Sequence, residues 1–119
     1  MISLNKVTLA GNLTRDPELR ETPSGANVCD MSIAMNDRYK TKDGELKTET
    51  CFADITAWGS QAKSCGECLA KGSSVLVEGK LIYDQWESKD GEKRSKLRVR
   101  ADRVHFIGRP SDKGGEEEE

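Results

Sequence analysis

The sequence predicts an all-β domain: a small closed barrel of five strands with one short α-helix between strands 3 and 4. Three observations carry that expectation. Five stretches read as strands, two of them interrupted by a glycine (Gly11 and Gly79) where a strand bends or bulges. Only "SQAKSCGECLAKG" has helical spacing. Strong bends with a single intervening helix favour closure into a barrel over a two-sheet sandwich.

The elements follow in order. "NKVTLAGNL" is the first strand, with Val7, Leu9, Gly11 and Leu13 on one side. "TRDPELRETPSGAN" reads as a loop, punctuated by Pro17, Pro23, Gly25 and Asn27. "VCDMSIAMN" alternates: Cys29, Met31, Ile33 and Met35 face one way, Val28, Asp30, Ser32 and Ala34 the other, as in a half-buried strand. Asp43-Gly44 turns a polar hairpin tip. The third strand, "CFADITAW", has a small apolar face (Cys51, Ala53, Ile55, Ala57) and a second face of Phe52, Asp54, Thr56 and Trp58. In the helix, Ala62, Cys65 and Cys68/Leu69 share a face, and Lys71-Gly72 is expected to close it. "SSVLVEGKLIYDQW" is a long fourth strand, Asp90-Gly91 turns the chain, and "KLRVRADRVHFIG" returns with an alternation that slips at Asp102-Arg103, as a bulge produces. A five-stranded, partly open barrel of this kind is the OB-fold, an oligonucleotide-binding architecture. We therefore expect an OB-fold domain over residues 1–108 and a disordered acidic tail over 109–119.

Composition narrows the function. A chain of 119 residues fits one domain. Its hydrophobic fraction of 34% equals its charged fraction, which is lean for a self-sufficient monomer and points to long polar loops, a disordered end or subunit contacts that complete the burial. No basic start with a long apolar run marks a signal peptide, and no apolar stretch approaches the roughly 20 residues that cross a bilayer. A cytoplasmic, nucleoid-associated protein with no membrane partner is expected. The net charge of −2 is asymmetric: residues 110–119 carry five acids and one base, leaving 18 Lys and Arg against 16 Asp and Glu over residues 1–109. So weak a basic excess does not by itself announce nucleic acid. The four cysteines include the C-x-x-C of "CGEC", but Cys29 and Cys51 stand 22 residues apart and supply no second close pair for a zinc site. No nucleophile–base pair, phosphate loop or metal set is apparent; no enzyme activity, cofactor or metal is expected.

The aromatics are more telling. Phe52 and Trp58 lie six residues apart and point the same way, separated by about 20 Å at a rise of about 3.3 Å per residue. Asp54 and Thr56 share their face, so it is not the core face. Trp86 and Tyr39 sit in the two charged hairpins. Exposed rings near Lys40, Lys42, Lys47, Lys93, Arg94 and Lys96 suit single-stranded nucleic acid, whose bases offer free faces for stacking and whose phosphates need cations.

"NKVTLAGNLTRDPELRETPSG" and "FADITAWGSQAKSCGECLAKGSSVLVEGKL" resemble the opening strand and loop, and the third strand, helix and fourth strand, of the bacterial single-stranded DNA-binding protein family. The resemblance extends over about residues 5–108. It implies an OB-fold whose first strand, near Leu4–Leu9, pairs across a dimer, with two dimers forming a homotetramer. It implies DNA-stacking roles for Tyr39, Phe52, Trp58 and Trp86, and phosphate contacts for Arg20 and Lys71. Two departures stand out. Family members often carry basic residues near the fourth aromatic, where "IYDQWES" has none. The family's tail usually ends in an apolar tip that recruits replication and repair proteins, whereas this sequence stops at "EEEE". The expected function is sequence-tolerant binding of single-stranded DNA in replication, recombination and repair. The competing readings are an OB-fold module for primosome assembly or RNA, and a redox or metal protein built on "CGEC".

Overall fold

A computed structural model describes residues 1–108. Its elements are β1 (Val7–Leu13), β2 (Glu18–Glu21), β3 (Asn27–Lys40), β4 (Leu46–Trp58), α1 (Gly59–Cys68), β5 (Ser74–Glu87) and β6 (Lys93–Gly108). Strands β1, β5, β6, β4 and β3 neighbour one another in that order, and β1 pairs back onto β3 through Asn12–Ala34 and Leu13–Ile33. This closes a five-stranded OB-fold barrel with the helix between its third and fourth strands. The parallel contact of β4 with β6, Ile55 beside Val99 and Thr56 beside Arg100, completes the ring. The expected acidic tail over 109–119 lies outside the described residues.

The predicted bends fall at the glycines because there is no room for a side chain. A Cβ at Gly11 would meet the Ala34 carbonyl oxygen at 2.5 Å, where β1 passes from β5 to β3. At Gly79 it would meet the Arg100 carbonyl oxygen at 2.1 Å. Opposite Gly79 the register skips Asp102: Glu78 pairs with Arg103 and Gly79 with Ala101. That is the bulge signalled by the slipped alternation. It tightens the turn of the β5–β6 ribbon so that one strand pair serves both the barrel wall and a projecting arm.

Two hairpin arms leave the barrel, and their turns are near copies. Thr41-Lys42-Asp43-Gly44-Glu45 joins β3 to β4, and Ser88-Lys89-Asp90-Gly91-Glu92 joins β5 to β6. In each, the first residue's N–H donates to the last residue's carbonyl, at 2.9 and 2.8 Å. The glycines take φ of +86° and +84°, which a side chain rarely permits.

The core contains Met31, Ile33, Ile55, Val75, Val77, Val99 and Cys29, joined by Ala62, Cys65 and Leu69 from the helix side. Three expectations need correction. Residues 14–27 are not all loop: Glu18–Glu21 forms β2, pairing Glu18–Asp30 through Glu21–Asn27 along β3. All four β2 residues are exposed, so the strand owes its existence to β3's free edge and carries no hydrophobic alternation. Leu19 of β2 covers the helix at Gly66, where an added Cβ would lie 2.9 Å from the Leu19 Cβ. Next, Leu69 and not Cys68 completes the helix's buried face, and the helix ends at Cys68. Gly72 serves a following turn instead, in which the Ser73 N–H donates to the Ala70 carbonyl at 2.9 Å. Finally, Val28 is fully buried although it shares parity with the polar face of β3. Its cross-strand neighbours are Arg20 on β2 and Trp58 on β4.

Candidate nucleic-acid interface

Not one of the six aromatic side chains is in the core. Tyr39, Phe52, Trp58, Tyr83, Trp86 and Phe106 are 44%, 66%, 38%, 58%, 48% and 44% exposed. For rings of this size, exposure costs burial free energy that aliphatic residues have already supplied inside the barrel.

Strand parity sorts the rings. Phe52 and Trp58 share one outward parity of β4 with Asp54 and Thr56 between them, but Thr56, expected on an exposed face, is buried at 3% exposure under its bonds to Arg98 and Asp30. The neighbouring outward row on β6 is Arg94, Lys96, Arg98 and Arg100, and on β5 it is Lys80, Ile82, Asp84 and Trp86. Arg100 lies over the Trp58 ring, 5.5 Å from its centroid, and Arg94 is the direct cross-strand partner of Trp86. Trp58 therefore has a guanidinium over its ring, and Trp86 has an arginine as its cross-strand neighbour. Tyr39 is directly opposite Lys47 and has the other parity from the Phe52–Ala34 pair, so it lies on the opposite face of the β3–β4 arm. The structure does not gather all four rings on one plane.

The cations divide into two groups. Lys40, Lys42 and Lys47 crowd the β3–β4 arm, all exposed. Lys93 and Arg94 flank Trp86 on the β5–β6 arm, and Arg94 bonds Glu92 at 3.2 Å. Between the arms three cations are paired, while Arg100 lies over Trp58 with no carboxylate partner among the described residues. Arg20 Nε donates to Asp30 at 2.8 Å, Lys96 bonds Asp54, and Arg98 Nε bonds Asp84. The hydrogen bond to Asp30 and its charge raise the Arg20 pKa above its ordinary value. Arg98 also donates through Nη1 to the Thr56 hydroxyl, which in turn donates to Asp30 at 3.3 Å. Lys71 stands apart, in the turn after α1, where its backbone N–H is held by Asp16 at 2.8 Å.

Two features of this face escaped the sequence reading. Arg98 and Arg100 were legible as the continuation of the Lys96 row in "KLRVR", an alternation assigned only to strand formation. The pairing of Asp30, Asp54 and Asp84 with three cations had no sequence signal, because it joins residues from different strands. Of the cysteines, Cys29 and Cys65 are buried and free, Cys51 and Cys68 exposed and free. Burial pushes the Cys29 thiol up to about 11 and the Cys65 thiol up to about 12. Among the described residues no three His, Cys, Asp or Glu side chains converge to hold a metal. No helix there is long and apolar enough to cross a membrane.

Fold and face together define an OB-fold protein with an outer surface built of rings and cations, chemically suited to a flexible polyanion carrying flat bases. The Single-strand binding protein family profile matches residues 4–107, and the chain belongs to that family. A single-stranded DNA-binding protein of Wolinella succinogenes is 42% identical over 116 residues, spanning 97% of this chain and 72% of the relative. One from Aquifex aeolicus is 44% identical over 113 residues, spanning 95% and 75%. Among solved structures, a deletion mutant of the single-stranded DNA binding protein from Thermus aquaticus superposes with a TM-score of 0.78 at 38% identity, over 87% of this chain and 50% of that one. The Plasmodium falciparum SSB complex with ssDNA gives a TM-score of 0.82 over 90% and 97%; at 23% identity it speaks to the fold alone.

Proposed function

We propose that this chain binds single-stranded DNA without sequence preference and protects it during replication, recombination and repair. The observation that carries the reading is the outward row of Phe52 and Trp58 beside the cationic row of β6, with Trp86 and Arg94 paired on the neighbouring arm. Unpaired bases stack on the rings; stacking on proteins of this kind is worth about 1–3 kcal/mol per base, a magnitude borrowed from them and not measured on this groove. Duplex DNA hides its base faces and cannot use them. Tyr39, Phe52, Trp58 and Trp86 are the stacking set. Lys40, Lys42, Lys47, Lys93 and Arg94 neutralise phosphates on the arms, with Arg20, Lys71 and Lys96 as further contacts. The role is binding without catalysis, in a cytoplasmic, nucleoid-associated setting, with the chain assembled as a homotetramer.

Titration with poly(dT), followed by tryptophan fluorescence at two salt concentrations, tests the reading. Both tryptophans lie on the groove face, so strong quenching is expected. Affinity should fall with salt at a log–log slope of about 0.7 per neutralised phosphate. Saturating binding with unquenched tryptophans would remove the stacking element, and a salt-independent constant would remove the phosphate element.

A further inference from the structure

The floor between the two arms is crossed by a continuous polar chain. Asp84 on β5 bonds Arg98 on β6, Arg98 bonds Thr56 on β4, Thr56 bonds Asp30 on β3, and Asp30 bonds Arg20 on β2. The Lys96–Asp54 pair runs beside it. Five neighbouring strands each contribute one member to this chain. It lies between Trp58, two residues from Thr56, and Trp86, two residues from Asp84. Its ionic groups are partly exposed; the Arg98 and Asp84 side chains retain 26% and 38% of their accessibility. A strand crossing from one tryptophan to the other must pass over it.

We infer that Asp30, Asp54 and Asp84 are resident counter-anions that occupy Arg20, Lys96 and Arg98 and compete with DNA phosphate for them. The inference rests on the single-stranded DNA reading above and adds a limit on affinity to it. Arg20 and Lys96, which the sequence assigns to phosphate, arrive already neutralised, and so does Arg98. Phosphate neutralisation then falls to the arm lysines and to Arg100, which has no acidic partner among the described residues, while the paired floor sets the geometry of the rings. Arg98 is a positioning residue: it ties β5 to β4 through two side chains. The acidic "IYDQWES" beside Trp86 is thereby accounted for, since Asp84 holds Arg98, two residues along β6 from its direct cross-strand partner Lys96, in check.

The test compares D84N and D54N with the unaltered chain in oligo(dT) titrations at several salt concentrations. Each isosteric neutralisation frees one cation. Tighter binding at low salt is expected, by about threefold to tenfold, with a salt slope steeper by about 0.7. D84E, which keeps the charge, should keep the slope of the unaltered chain. E67Q, at an exposed acid of α1 that forms no ion pair among the described residues, changes net charge by the same amount without freeing a cation and should alter neither quantity. Unchanged or weaker binding by both D84N and D54N, or equal tightening by E67Q, overturns the inference. The Asp54–Lys96 pair, being independent of Arg98, keeps the test decisive should D84N perturb folding. Absence of poly(dT) binding by the unaltered chain is a separate result: it removes the underlying function and this inference with it.

Discussion

Phe52 is two-thirds exposed on a strand whose opposite face holds the fully buried Ile55 and Ala57. A ring so placed contributes little to folding and is available to a ligand. Phe52→Ala and Trp86→Ala should each weaken poly(dT) binding by about 1–3 kcal/mol. Their thermal midpoints should stay within about 2 °C of the parent's, since surface substitutions cost at most about 0.5 kcal/mol. A parallel loss of stability would mean that the rings are structural. The thiols separate by burial in the same manner. An unfolded Cys releases its proton near 9.0, whereas folded Cys29 and Cys65 hold theirs to about 11 and about 12. Above pH 9 the unfolded state thus binds fewer protons than the folded state, and stability falls as pH rises toward that upper range. Urea midpoints between pH 8 and pH 11 should show the decline, and Cys29→Ala with Cys65→Ala should flatten it. At this scale the sequence was most informative about rings, because strand parity alone separates Phe52 and Trp58 from the core. It was least informative about charge. Lys96 looked like a phosphate ligand, yet its partner Asp54 sits 42 positions earlier and meets it only through folding.

The bulge at Gly79 decides where the barrel wall becomes an arm. A methyl group there would press on backbone, which cannot move aside, so Gly79→Ala should destabilise the fold by about 2 kcal/mol or more in urea unfolding. Gly66→Ala is the instructive contrast. Its new methyl would lie 2.9 Å from the Leu19 Cβ, which no rotamer change relieves. But β2 is an exposed edge strand that can shift as a unit, and alanine favours the helix by about 1 kcal/mol over glycine, so the loss should be smaller. Equal losses would mean that the two contacts are equally rigid. Both glycine bends, the Asp102 slip and both Asp-Gly turns were legible in the sequence because each has a local cause: a missing Cβ, a broken alternation or a positive φ. β2 was not legible. "ELRE" has no alternation of its own and is extended only because β3 offers an unpaired edge, a fact about the fold that no local window contains.

At the scale of the whole molecule, the weak basic excess of residues 1–109 conceals a division of labour between arms and floor. Free lysines cluster on the hairpins, and Arg20, Lys96 and Arg98, each paired with an aspartate, lie between them beside Arg100. The outer surface also exposes apolar side chains away from the outward row of β6. Leu81, Tyr83 and Leu97 share the other face of the β5–β6 arm, and Met1, Ile2 and Leu4 precede β1. The homotetramer that the family resemblance implies would cover part of this area. Sedimentation equilibrium should therefore return four times the 13.2 kDa chain mass; a monomer at micromolar concentration would refute that assembly. The groove itself is tested most directly by magnetic resonance, because the chain has two tryptophans and hence two indole N–H signals. On adding oligo(dT), both indole resonances should shift together with the amides of β4 and the two arms, while those of α1 stay in place. Unmoved indoles, with shifts confined to another face at saturation, would contradict the account.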